Sequence, residues 1–422
     1  MKFNKTVLPS GLRVITVPMP DNPAVTVLVM AEVGSKYETK DTSGLSHFLE
    51  HMLFKGTAKR PKASDISREF DGLGAQSNAF TSHECTGYWA KADAKHLDSI
   101  LDILSDMYLN PVFNEVEMEK EKGVIIEEIR MYQDLPQARV QDLFMELMYG
   151  DQPVGWNIAG TEKTVRSFGR KQLSDHRAKN YVSSETTVIV GGSFDEKKTI
   201  KKIEAAFSAL PSTDKQAKLP VSESQSAPAI ATLFKETDQT HLVIGVRTFS
   251  MLDKRIPALT VLSTILGKGM SSRLFTKMRE ELGICYYIRT SPDSFTDHGN
   301  ITISAGVDNS RVEEGIKGIL GECRRLKDEL VSDAELKKAK DYIAGTTMLE
   351  METSDARAEF FGFEETLKHK LESPDEIIAK INAVTAADVQ KLAGEIFVDK
   401  GLNMAIVGRF KDGVLFKEYF KF

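Results

Sequence analysis

Five consecutive residues, His47-Phe48-Leu49-Glu50-His51, carry the clearest chemistry in this chain. The surrounding run, from Ser43 to Phe54, has helical periodicity, so histidines four apart stack on one face. Their separation there suits two imidazoles sharing one small cation. Glu50, three residues after His47, projects to the same side. Leu45, Phe48, Leu49, Met52 and Leu53 fall elsewhere, giving the helix a core side and a ligand side. The order is the reverse of the H-E-x-x-H pattern that holds zinc. Two histidines on any surface helix would share this look, so a third donor decides.

A hydrolytic zinc ion usually takes three protein ligands and keeps a fourth position for water. The richest source of a third donor is residues 114–130, Asn-Glu-Val-Glu-Met-Glu-Lys-Glu-Lys-Gly-Val-Ile-Ile-Glu-Glu-Ile-Arg. Asn114 with Glu117 three positions later marks a helix start. Glu121 and Glu128 stand seven apart and face the same way, flanking the apolar Val124-Ile125-Ile126. Glu127 is rotated by about 100° from Glu128 and competes with it on spacing alone. Glu115, Glu117 and Glu119 read as a solvated face. The other histidines, His96, His176, His241, His298 and His369, sit in scattered polar contexts and read as surface or capping residues. His83 lies beside Glu84 but makes a poor third ligand.

These elements belong to a chain that repeats itself. Thr-Thr-Val-Ile-Val-Gly-Gly-Ser-Phe-Asp at 186–195 resembles Asn-Met-Ala-Ile-Val-Gly-Arg-Phe-Lys-Asp at 403–412. Each follows an amphipathic helix, near 171–181 and 386–397. In each half an early apolar strand, 25–33 or 241–248, leads into a helix. Two homologous domains follow, residues 1–212 and 229–422, joined by a polar, Ser-rich linker at 213–228 bounded by prolines. Blocks of strands followed by blocks of helices predict an α+β fold with mostly antiparallel sheets. The second half has no His-x-x-Glu-His, so only the first should bind metal.

Composition narrows the class further. Net charge is −6, with 27% charged residues of both signs mixed along 422 positions, so no basic patch calls for nucleic acid. Cys85, Cys285 and Cys323 are too few and scattered for a disulfide framework and read as reduced and buried. The segment Met1–Lys5 leads straight into a strand, with no apolar or Arg-rich leader, and no run is long enough to span a membrane. A cytoplasmic setting is expected.

Taken together, the pentapeptide and the glutamate 77 residues beyond it, Glu128, resemble the pitrilysin family of zinc peptidases, whose signature is H-x-x-E-H. That family includes insulin-degrading enzyme and the mitochondrial processing peptidase. The likeness continues in Gly74-Ala75-Gln76-Ser77-Asn78-Ala79-Phe80-Thr81-Ser82, in Gly155-Trp156-Asn157-Ile158-Ala159-Gly160-Thr161 and in Ser271-Ser272-Arg273-Leu274-Phe275. In size the chain looks most like the short bacterial processing-peptidase-like members.

The resemblance implies that each half is a sheet with helices packed on one face. It assigns His47, His51 and Glu128 to one Zn2+ per chain, and gives Glu121 an assisting role without metal contact. Asn78, Ala79 and Phe80 would lie on an edge strand that pairs with an extended peptide. An Arg and a Tyr seven apart, matched here by Arg279 and Tyr286, would hold the substrate carbonyl; Tyr287 is the alternative if the register slips. Glu50 would serve as general base. Larger relatives enclose substrate with four such domains, so a homodimer, or a heterodimer with a related partner, is expected. The activity implied is endopeptidase action on unfolded peptides or small proteins. The alternative is a non-catalytic assembly or peptide-binding subunit of the same fold.

Overall fold

The structure, a computed structural model, describes residues 1–213 and 217–422. Among them eleven strands form two sheets. The first sheet uses β1 (Asn4–Val7), β2 (Arg13–Pro18), β3 (Ala24–Ala31), β4 (Gln76–Thr81), β5 (Thr86–Asp93) and β6 (Thr186–Gly192). The second uses β7 (Ala229–Phe234), β8 (Gln239–Thr248), β9 (Cys285–Ser294), β10 (Gly299–Asp308) and β11 (Asn403–Gly408). Five helices carry the argument in the first half of the chain: α1 (Leu45–Leu53), α2 (Leu97–Leu109), α3 (Glu115–Asp134), α4 (Pro136–Tyr149) and α5 (Arg170–Asn180). The second half supplies α6 (Val312–Asp328), α7 (Ser354–Lys368) and α8 (Ala386–Ile396).

The strand orders are β1-β2-β6-β3-β5-β4 and β7-β11-β8-β10-β9. Without β1 the two are the same pattern. In each, one pair is parallel (β2 with β6, β7 with β11) and the remaining pairs are antiparallel. The repeated segments occupy β6 and β11, matching positions in the two sheets, and each is preceded by its expected helix, α5 or α8.

Chain contacts define two compact units. The first holds Met1–Ile129, Trp156–Leu219 and Met348–Glu372; the second holds Arg130–Gly155, Pro220–Thr347 and Ser373–Phe422. A single cut near residue 212 therefore does not separate them. The reason lies in the second face of each sheet. β3 is buried along almost its whole length rather than on alternate residues, so both of its faces need cover. One face packs on α1, α2 and α5 through residues such as Val27, Leu49, Leu104 and Leu173. The other, with Ile15, Leu28, Met30 and Ile189, is covered by Ala358 and Phe361 of α7, from the other half of the sequence. In the second unit α6 and α8 line one face, while α4 packs Val140 and Phe144 against Val243, Ala405 and Val407 on the other. Each fully buried large side chain stabilises its unit by roughly 1.5–3 kcal/mol. A helical layer on one face is thus joined by one exchanged helix on the opposite face.

The expected linker at 213–228 includes residues 214–216, which lie outside the described residues; 217–228 has no regular secondary structure. Cys85, Cys285 and Cys323 are free and buried. No helix among the described residues is long and apolar enough to cross a membrane.

Candidate metal centre

The site is built in the first unit on α1 and α3. α1 begins at Gly44, whose φ of 96° lies in the left-handed region that glycine tolerates. A Cβ there would sit 2.5 Å from the Ala159 carbonyl oxygen, and one at Gly160 would sit 2.2 Å from that of Ser43. The 155–161 motif is therefore a buttress against the helix start. Leu45, Phe48, Leu49, Met52 and Leu53 are buried as the periodicity predicts, which turns His47, Glu50 and His51 to the opposite side. The start of α3 is capped by Asn114, whose Oδ1 accepts the N–H groups of Val116 at 2.9 Å and Glu117 at 3.2 Å. Further along, Ile125, Ile126 and Ile129 enter the core.

This packing brings His47, His51 and Glu128 together, with one donor atom of each within 4.8 Å of the others. Glu128 Oε2 lies 3.8 Å from His47 Nε2 and 3.6 Å from His51 Nε2. The imidazole centroids are 4.6 Å apart at 63°. Zinc bond lengths in a tetrahedral set imply donor separations of about 3.3–3.5 Å, so a small inward movement would bring the three donors to binding distance. Two imidazole nitrogens and one carboxylate also suit zinc better than magnesium or calcium. The residues present fit the ion. Glu127 is exposed and outside the cluster.

Glu121 is buried and accepts from His51 Nδ1 at 2.8 Å, leaving Nε2 turned to the ligand position. Its second oxygen accepts from Lys55 Nζ at 2.7 Å. Burial pushes the Glu121 carboxyl up, but His51 and Lys55 outweigh it and hold it below the usual carboxylate range. Burial, followed by the charge of His51, lowers His47 to about 4, keeping its ring neutral and its lone pair available. For His51, burial works downward, but the Glu121 hydrogen bond and neighbouring carboxylates win and raise it. Among the described residues, His47 Nδ1 is buried without a hydrogen-bond partner.

Glu50 stands beside this cluster. Its Oε2 accepts from Thr81 Oγ1, the last residue of β4, at 2.6 Å. Burial, helped by the charge of Glu128, raises its carboxyl above the usual range; Thr81 and His51 oppose the rise. β4 lies at the end of the first sheet, so Asn78, Ala79 and Phe80 are on an edge strand. Asn78 is exposed and the Phe80 ring stacks on Phe363 of α7, with centroids 5.5 Å apart.

In the second unit, Arg279 sits in a stretch of π-helix over Thr276–Glu281 and donates to the Tyr286 carbonyl at 2.8 Å. Its guanidinium lies 5.2 Å over the Tyr286 ring, which is 71% exposed. Tyr287, one step on, points the other way, with its hydroxyl 3.0 Å from His241 Nδ1.

Sequence reasoning missed several partners. His176, His241 and His298 are buried rather than surface residues, because each meets a polar or aromatic neighbour inside the fold. His83 pairs with Ser35 Oγ at 2.8 Å and takes no part in the cluster. Thr81 and Lys55 gave no local signal, since their contacts cross between elements.

Comparison with known proteins identifies the family. A profile described as Insulinase (Peptidase family M16) matches residues 13–162, and one described as Peptidase M16 inactive domain matches 167–343. The chain is 35% identical to the Bacillus subtilis protein named "Uncharacterized zinc protease YmxG", over 92% of this chain and 94% of that one. It is 32% identical to an uncharacterized zinc protease of Streptomyces coelicolor, over 97% of this chain and 90% of the relative. The fold matches a crystal structure of a protease from Helicobacter pylori with a TM-score of 0.89 at 23% identity, covering 96% and 99% of the two chains. The chain belongs to the insulinase family of peptidases, family M16.

Proposed function

We propose that this chain is a zinc-dependent endopeptidase that cleaves unfolded peptides or small proteins. The observation that carries the reading is the meeting of His47, His51 and Glu128 beside a buried Glu50 tied to an edge strand. One Zn2+ per chain would be held by those three side chains. When bound, zinc supplies Lewis acidity, acidifying a water and polarising a carbonyl oxygen.

The protein's own residues then have separate tasks. Glu121 fixes the tautomer and bearing of His51. Glu50 takes the proton of the attacking water and passes it to the departing amine; its raised proton affinity suits both transfers. The free edge of β4 offers main-chain groups to an extended substrate at Asn78, Ala79 and Phe80, which accepts many sequences. Arg279 and Tyr286 are assigned the substrate carbonyl. Of the two tyrosines, the exposure of Tyr286 and the engagement of Tyr287 with His241 support the former. The active unit is proposed to be a homodimer in the cytoplasm, because the chain carries both the ligand set and the Arg/Tyr pair.

Metal analysis with cleavage of an unstructured quenched-fluorescent peptide tests the proposal. One zinc per chain and chelator-sensitive cleavage, restored by zinc, are expected. Zinc binding without cleavage of any unfolded peptide would favour a non-catalytic subunit instead.

A further inference from the structure

We propose that Glu38 is a positioning residue for the metal centre: its buried carboxylate fixes the start of α1, and with it the bearing of His47, Glu50 and His51. The inference rests on the proposed metal site and goes on to say what holds that site's helix in place.

The first N–H groups of any helix lack partners within it. A side chain at the residue just before the helix usually supplies one. Here that residue is Gly44, which has no side chain to offer. Glu38, six residues upstream, replaces it: Oε2 accepts from Gly44 N at 2.8 Å and Oε1 from Ser46 N at 2.6 Å. Glu38 is 4% exposed, so water does not compete for these groups. Burial pushes the Glu38 carboxyl up to about 8, but both of its oxygens accept backbone N–H groups, which favours the ionised form, and a negative charge there also suits the positive end of the helix dipole.

Glu38 is itself anchored. It follows the short turn Ser35–Tyr37, in which Ser35 N donates to Ser82 O at 3.2 Å and Lys36 N to His83 O at 2.9 Å. Those carbonyls belong to the connection leaving β4, whose last residue, Thr81, holds Glu50. The end of β4 therefore holds Glu50 directly, and the connection leaving it steadies the start of the same helix through Glu38. On another side Ser46 Oγ lies 3.1 Å from His176 Nε2, and Gly160 closes the remaining approach. α1 has only nine residues, so a shift at its start moves His47 and His51 as one body. A misplacement of about 1 Å at a reacting group can cost roughly a hundredfold in rate.

The test compares Glu38→Gln with the core variant Phe207→Leu, whose buried ring packs on Tyr108. Glutamine keeps the volume but turns an NH2 group against one of the two backbone N–H donors. Zn2+ affinity is measured by competition with a chromophoric chelator, and the Gly44 and Ser46 amides are followed by hydrogen exchange. In folded Glu38→Gln, Zn2+ binding should weaken about tenfold or more, with hydrolysis lost in kcat and KM changed less than about twofold. Both amides should exchange faster. Phe207→Leu should lower the melting temperature and leave Zn2+ affinity intact. Unchanged affinity and kcat in Glu38→Gln overturns the proposal. So does a loss of affinity that tracks melting temperature equally in Phe207→Leu. A wild-type chain that binds no Zn2+ overturns the metal site itself; amide exchange, read without metal, then still reports whether Glu38 holds the helix.

Discussion

Two demands compete at Glu50. A general base must be ionised to accept a proton, yet must hold that proton firmly enough to deliver it to an amine. Burial and the charge of Glu128 raise its proton affinity, and the Thr81 hydrogen bond restrains the rise. Glu50→Gln should keep zinc and lose peptide cleavage by roughly a thousandfold, as metal content and kcat on the same sample will show. Thr81→Val removes the restraint. The Glu50 carboxyl then rises further, and the acid limb of the kcat/KM profile should move to higher pH. A limb that stays in place would remove Thr81 from this role. His47, Glu50 and His51 were legible because their relation is local, set by helical spacing. Glu128 was not separable from Glu127 by spacing, since only the position of α1 decides which of two adjacent glutamates faces the ion. Thr81 and Glu38 were silent for the same reason: their partners lie on other elements.

Among the elements, α1 depends on what is packed against its start. His176, on α5, reads from sequence as a polar surface residue, but its ring is buried beside Ser46 and Asn180. Burial, with the charge of Lys179 adding to it, lowers His176 from 6.5 to about 4. The unfolded chain therefore binds this proton more readily than the folded one. The resulting stability is present above pH 6.5 and is lost as pH falls toward 4. Between pH 7 and pH 5 the loss should be roughly 2 kcal/mol, and His176→Gln should remove that part of the pH dependence. Denaturant unfolding of both proteins at the two pH values measures it; parallel losses would assign the acid sensitivity elsewhere. The strands show what sequence could give at this scale. The composition of β4 marks a strand, but its edge position was legible only through the family resemblance of residues 74–82, and the sheet order bears it out. The apolar run of β3 is recognisable as a strand, but its composition does not say what covers its second face.

That second face organises the whole molecule. The repeat in the sequence predicts two equal halves, and the sheets do share one strand order. What a repeat cannot reveal is that the halves exchange helices, because the sequence pattern of α4 and α7 shows an apolar face without naming the sheet it covers. The exchange is specified by charge as well as packing. Glu365 of α7 is fully buried and meets Lys5 Nζ at 2.6 Å and Arg13 Nε at 3.7 Å, on β1 and β2. Removing one member of a buried ion pair costs roughly 3–5 kcal/mol because its partner stays buried without compensation. Glu365→Ala should therefore destabilise the first unit by about that amount in denaturant unfolding, more than Glu365→Gln, which keeps a hydrogen-bonding group. The same reasoning applies to the severed chain. A fragment of residues 1–212 would leave Ile15, Leu28, Met30 and Ile189 without the cover of Ala358 and Phe361. Alone it should bind a hydrophobic dye and hold zinc poorly. Mixed with residues 213–422 it should recover zinc affinity, because the second fragment returns α7 to its sheet. If the first fragment alone is compact, silent to the dye and full in zinc affinity, the exchanged helix is not needed to complete the metal-binding unit.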